Sequence, residues 1–167
     1  MAIVAGDILF KFSVVAAAGN TTAGTAATSL GDQISTTQIT DATLNNLFDD
    51  VSGDENAASD VEYRCIFVHN AHATLTWQSV VVWLSAEVGG GASAAIAIDD
   101  FAASPIGQAS AQADVIANED TAPGAGVGSF SSPTTKATGL SVGNIAAGSC
   151  RAIWVKRTAA NTAAVDN

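Results

Sequence analysis

Val61-Glu62-Tyr63-Arg64-Cys65-Ile66-Phe67-Val68-His69-Asn70 is the stretch on which the fold turns. Its β-branched and aromatic residues alternate with period two, and Ala57-Ala58-Ser59-Asp60 precedes it as a turn, so it reads as a strand. Tyr63, Cys65 and Phe67 fall on one face; Arg64, Ile66 and Val68 fall on the other.

Further runs of the same kind lie on either side. Asp7 to Val15 places Ile8, Phe10 and Phe12 on one face. Leu75 to Leu84 alternates Leu75, Trp77, Val81 and Trp83 with Thr76, Gln78, Val80 and Val82, and its apolar end predicts a strand covered on both sides. Ser93 to Ile98 and Cys150 to Thr158 complete the strong set, and Gln33 to Ile39 and Ala137 to Val142 are weaker strands. Arg64-Cys65-Ile66-Phe67-Val68 and Arg151-Ala152-Ile153-Trp154-Val155 share the pattern Arg-small-Ile-aromatic-Val, as two similar strands of a sandwich would.

One segment has a different period. After Asp41, a candidate N-cap, Leu44, Leu47, Phe48 and Val51 stand at i, i+3, i+4 and i+7, which predicts a short helix ending near Gly53 and plugging one end or edge of the sandwich. Ala16 to Thr28, Ala102 to Pro133 and the tail from Ala159 to Asn167 are small-side-chained and irregular. They are expected to be loops or arms that become ordered against a neighbouring subunit. The whole chain, 1–167, reads as one all-β sandwich domain with a short N-terminal arm at about residues 1–6.

Charge narrows the partners. Sixteen acidic residues against six basic ones give a net charge of -10. Such a surface repels phosphate backbones and anionic lipid heads, so neither nucleic acid nor membrane is expected as a direct partner. No run approaches the ~20 apolar residues of a spanning helix, and the N-terminus lacks the basic region of a secretory signal, so synthesis in the cytoplasm is expected.

The candidate chemical sites are sparse. Cys65 and Cys150 each stand alone in an apolar run and read as small buried hydrophobes, with a disulfide between them as the alternative. His69 and His72 read as two turn histidines, because a closed zinc site needs more ligands than they supply. The acidic pairs Asp49-Asp50, Asp54-Glu55, Asp99-Asp100 and Glu119-Asp120 read as solvated loop charge, and the Asp50 to Asp60 stretch departs from calcium-loop spacing. No nucleophile elbow, phosphate loop or dinucleotide fingerprint is present, so neither a catalytic residue nor a cofactor or metal is predicted. Arg64 and Arg151 lie within strands, where an arginine either snorkels at a sheet edge or pairs with a carboxylate at a subunit contact. With Ile3 and Val4 of the arm, they are the candidate interface residues. Trp77, Trp83 and Trp154 sit at inward-looking positions and read as core, which weighs against sugar stacking.

Ser29-Leu30-Gly31-Asp32-Gln33-Ile34-Ser35, Leu47-Phe48-Asp49-Asp50-Val51 with Glu55, Glu62 to Asn70, and Ala147-Gly148-Ser149 before Ile153-Trp154-Val155-Lys156-Arg157 together resemble small virion structural proteins of tailed bacteriophages. The resemblance spans roughly Leu30 to Arg157, and its motifs are short. It implies a jelly-roll-like β-sandwich on the phage particle. The first expectation is a capsid decoration or cement protein, a homotrimer on the outer capsid surface that binds the major capsid protein. A head-fibre or tail-associated component with a receptor- or glycan-binding role is the alternative. Neither implies catalytic residues.

Overall fold

The computed structural model describes residues 2–15, 19–86 and 92–159. Its strands are β1 (Ile8–Val14), β2 (Gln33–Gln38), β3 (Val61–Asn70), β4 (Trp77–Val82), β5 (Ala92–Ile98), β6 (Ser104–Pro105), β7 (Leu140–Ile145) and β8 (Ser149–Ala159). One α-helix, α1 (Gly53–Ala58), and a 3-10 turn at Ala5–Asp7 accompany them. The fold is all-β and sandwich-like, with one short helix and long loops, as the periodicity predicts. A larger sheet runs β2-β1-β3-β8-β5, with β6 also on β8, and β4 and β7 form a separate two-stranded ribbon. The strand pairings are antiparallel.

The centre of the sheet is the β3–β8 pair, and the sequence echo explains its fit. Ile66 stands opposite Ile153, with Arg64 opposite Val155 and Val68 opposite Arg151, so the two similar segments pair about a local two-fold through the isoleucines. Each aromatic meets a small partner: Trp154 is opposite Cys65, and Phe67 is opposite Ala152. This large-against-small alternation suits close packing of the layer. Phe67, Trp154, Cys65 and Ala152 pack on one face with Ile34, Ala97, Ala113 and Ile116. Val68, Ile96 and Ile153 pack on the other with Val80, Val142 and Ile145 from the ribbon.

The same register settles the cysteines. Cys65 pairs with Trp154 and Cys150 with His69, four positions away along the strands. At about 3.3 Å per residue that is roughly 13 Å, beyond any disulfide. Both thiols are free and buried.

Three expectations need correction. First, residues 42–51 form turns, and α1 begins where the expected helix was to end. Ala42 and Asn45 adopt positive φ of 54° and 55°, which no helix tolerates, and Leu44 turns outward. The true start signal is Ser52-x-x-Glu55, a reciprocal capping box: Ser52 Oγ accepts from Glu55 N at 3.2 Å and Glu55 Oε2 accepts from Ser52 N at 2.5 Å. Ser52→Ala is expected to cost about 1 kcal/mol locally, seen as faster amide exchange through Gly53–Ala58.

Second, the described parts of the irregular segments are tied to the rest of their own chain by backbone hydrogen bonds, so they are not bare of internal anchoring. The 110–116 stretch lies along 30–34: Asp32 N donates to Asp114 O (3.2 Å), Gln112 N and Ala113 N to Asp32 O (2.7 and 3.0 Å), and Ile116 N to Leu30 O (3.0 Å). Gln112, fully buried, donates to Ser104 Oγ at 2.9 Å and Pro105 O at 3.2 Å while accepting from Ile34 N at 3.3 Å. Small side chains make this close stacking of backbones feasible. Gly31, at φ 102°, sits where a Cβ would run into the Asp114 carbonyl. Loop order here comes from satisfied backbone groups, which a tally of apolar residues does not register. Ala16–Ala18 and the expected tail beyond Ala159 lie outside the described residues.

Third, β4 is not covered on both sides. Only Val80 is buried in it; Ser79 takes a positive φ of 53°, and the register with β7 shifts on both sides of Val80. Trp83, past the strand end, is 38% exposed and so does not look inward.

Candidate interaction surface

Arg64 lies on an interior strand, not an edge, and is buried. Its guanidinium pairs with Glu119 of its own chain and stands 5.6 Å from the centre of the Phe48 ring. Arg157 stacks on the same ring at 5.0 Å. It also donates through Nε to Glu62 Oε2 at 2.5 Å and through Nη2 to Asp49 Oδ1 at 3.0 Å. Phe48 is thus drawn onto the sheet by two cations, which fastens the 41–51 loop. Burial pushes the Glu62 carboxyl up, and the Arg157 guanidinium opposes that shift.

The carboxylates of Asp49, Glu55 and Glu62 converge within 4.8 Å, a set of oxygens that a hard cation would accept. Arg157 already supplies positive charge to Asp49 and Glu62. Arg151 is likewise turned inward: Nη1 donates to Val142 O at 2.6 Å and Nη2 to Asp99 O at 3.3 Å. The carboxylate partner of Arg64 is therefore intramolecular, and Arg151 is bound to carbonyls of its own chain.

Two more groups depart from the sequence reading. Asp99 is not solvated loop charge. It is buried, with Oδ2 accepting from Trp154 Nε1 (2.8 Å) and Asp114 N (3.0 Å), and Oδ1 from Phe101 N (3.0 Å). His69 is not in a turn. It continues the Tyr63, Cys65, Phe67 face to the end of β3, while His72 is in the turn, its Nδ1 accepting from Thr74 N and Leu75 N.

The outer surface presents a shallow groove of about 730 Å³ lined by Ala5, Ile8, Phe10, Ile39, Leu47 and Ile66, among others. It exists because the β4–β7 ribbon covers the β3, β8 and β5 part of this sheet face, leaving β1 and the end of β2 to the 39–47 loop. Asp41 is the one ionisable side chain in its lining. Leu44, 91% exposed, projects from the loop that forms one wall, and Val4 of the arm, 61% exposed, adjoins Ala5 at another; Ile3 is half-buried. Sequence reasoning found Phe10, Leu47 and Val4 but assigned the first two to packing.

Charge elsewhere is one-sided. Of the six cations, Lys11, Arg64 and Arg157 are buried, Arg151 is bound internally, and Lys156 stacks 5.8 Å from the Phe130 ring. The exterior is therefore acidic apart from Lys136 and the partly covered Lys156. The apolar groove, with Phe10 in its lining and the exposed Leu44 beside it, contrasts with this acidic exterior. Searches for similar proteins give no match to any family model, any curated protein or any solved structure.

Proposed function

We propose that this chain is a structural virion protein of a tailed bacteriophage, a capsid decoration or cement protein that binds the outer capsid lattice as a homotrimer and stabilises it. The observation that carries the reading is the groove with Leu44 beside it: an apolar docking surface with one carboxylate in its lining, on a chain whose cations are mostly turned inward. The resemblance of Glu62 to Asn70 and Ile153 to Arg157 to phage virion proteins supplies the partner, the major capsid protein. An acidic exterior suits that setting, since it keeps a many-copied surface protein soluble and off released DNA.

The test is binding of the purified chain to capsid shells stripped of accessory proteins, followed by heating. Decorated shells are expected to withstand a higher temperature than bare ones. Leu44→Asp and Phe10→Asp are each expected to weaken binding by tenfold or more without unfolding the chain, since truncation or charging of a buried anchor costs about 2 kcal/mol. Shells that gain no resistance, or that do not bind the chain, would remove the cementing role. The head-fibre or tail alternative is favoured by one observation, the exposed Trp83, which can stack on a sugar ring. Quenching of tryptophan emission by glycans, lost in Trp83→Ala, would replace the first reading with this one.

A further inference from the structure

His69 is 5% exposed, and neither ring nitrogen has a hydrogen-bond partner among the described residues. Buried polar atoms are rarely left so, and each that is left costs stability. The imidazole faces Leu9 on β1 and Cys150 on β8, its cross-strand neighbours. Lys11, buried and bound through Nζ to Asn20 Oδ1 at 2.8 Å, is close enough to repel a charge on it. The thiol of Cys150 is engaged with Gln112 Nε2 at 3.2 Å and Ser104 O at 3.6 Å. The loops thus bring neutral amides and a hydroxyl to this end of the sheet, and the charged or titratable groups facing His69 are Lys11 and Cys150. Among the described residues, the Lys11 ammonium is the charge that acts on the imidazole, and it repels a proton there.

The next residue is the hub of the surrounding turns. Asn70 donates through Nδ2 to Leu75 O (2.8 Å) and Ile145 O (2.9 Å), accepts from Gly148 N at 2.9 Å on its carbonyl, and accepts from His72 N at 3.1 Å on Oδ1. Ala71 N donates to Asp7 O at 2.7 Å. Bonds closing the 70–75 and 145–149 turns therefore hang on the residue next in the chain to an unsatisfied imidazole, with the Asn70 side chain on the opposite face of the strand.

We propose that His69 is an acid-operated latch, in which proton uptake by the imidazole releases the end of the sheet where β1, β3 and β8 meet. Neutral, the ring leaves one donor and one acceptor idle. Protonated, it carries two donors and a charge into a buried site that already contains the Lys11 ammonium, and opening of the neighbouring turns would let water solvate it. Burial first, and Lys11 second, hold the imidazole below the ordinary histidine value of 6.5. The unfolded or opened chain takes the proton first. Stability from this group is thus complete above pH 6.5 and declines as pH falls from there to the lower native value, where the decline stops.

The experiment follows His69 in the intact chain by NMR titration, with amide exchange read at Ala71 and Gly148 at pH 7.0 and 5.5. The expected result is a ring titrating below 6.5, and faster exchange at both amides at pH 5.5 than at 7.0 after correction for intrinsic rates. The equilibrium constant for opening should rise by up to tenfold per pH unit, the limit for one proton. In His69→Met the acid-induced rise should vanish, and in Lys11→Met the histidine should titrate higher than in the parent. A ring titrating at or above 6.5, or an undiminished acid response in His69→Met, overturns the proposal. Should His69→Met not fold, the titration of the parent chain and of Lys11→Met decides alone: a histidine unmoved by removal of Lys11 also overturns it.

Discussion

Trp154→Ala is expected to destabilise the protein by about 3–5 kcal/mol, a large part of what a domain of this size possesses. The indole is fully buried at the centre of the sheet, opposite Cys65 and packed among Phe67, Ile34, Ala97 and Ile116. No neighbour is large and mobile enough to fill the space: the cross-strand partner is a cysteine, and the layer above is a loop fixed by its own hydrogen bonds. Trp154→Phe separates two contributions. It keeps most of the volume but removes the Nε1–H donor that Asp99 Oδ2 accepts at 2.8 Å, while Asp99 retains Asp114 N and Phe101 N. A hydrogen bond to a buried charge is worth about 1.5–3 kcal/mol, so Trp154→Phe should fall between the parent and alanine. Urea midpoints with unchanged m-values provide the measurement. A loss below 1 kcal/mol for alanine would mean that the loop over this face is not packed as described.

Arg157→Ala should be comparably damaging for a different reason. It leaves Glu62, buried in the sheet, without its cation, and removes half of the stack on Phe48. Removing one partner of a buried pair costs about 3–5 kcal/mol, because the other charge remains in a poor solvent. Replacing both together, Glu62→Leu with Arg157→Met, should restore most of that loss, since the desolvation of two ions is then avoided. The single variant should also show a deficit that shrinks as pH is lowered: Glu62 already titrates above the ordinary glutamate value because of burial, and with Arg157 gone it takes up a proton more readily. A deficit that grows in acid, or a double variant no better than the single, would contradict this account of the pair.

The sequence made the central strands legible because their side chains repeat with the period of the structure. The ten residues read from Val61 to Asn70 are β3 to the residue, and β8 differs from its reading by one residue at each end. The same parity carried His69 onto the buried face, so its position was readable by extending the Tyr63, Cys65, Phe67 series two residues further. The helix was misplaced because Leu44, Leu47, Phe48 and Val51 match a helical spacing while serving separate ends: Leu44 points out, Leu47 lines the groove and Phe48 lies under two arginines. The Ser52-x-x-Glu55 box nearby was the better guide, being a local bonding pattern rather than a periodicity. The ion network could not be read at all. Glu119 is 55 residues from Arg64, and Glu62 is 95 from Arg157, so only the register of β3 with β8 and the path of the loops bring them together.

That last separation bears on how the molecule is made. As the polypeptide leaves the ribosome, everything up to residue 148 emerges with the middle of the sheet empty, because β8 is the strand that β3 and β5 both require. Until those residues arrive, Phe67 and Ile96 have an open row of amides and carbonyls beside them, the kind of edge that pairs with stray chains. Completion of the sheet therefore waits for Ser149–Ala159, and a nascent chain stalled before Ser149 is expected to bind chaperones or aggregate more readily than the full segment, which pull-down of stalled chains would check.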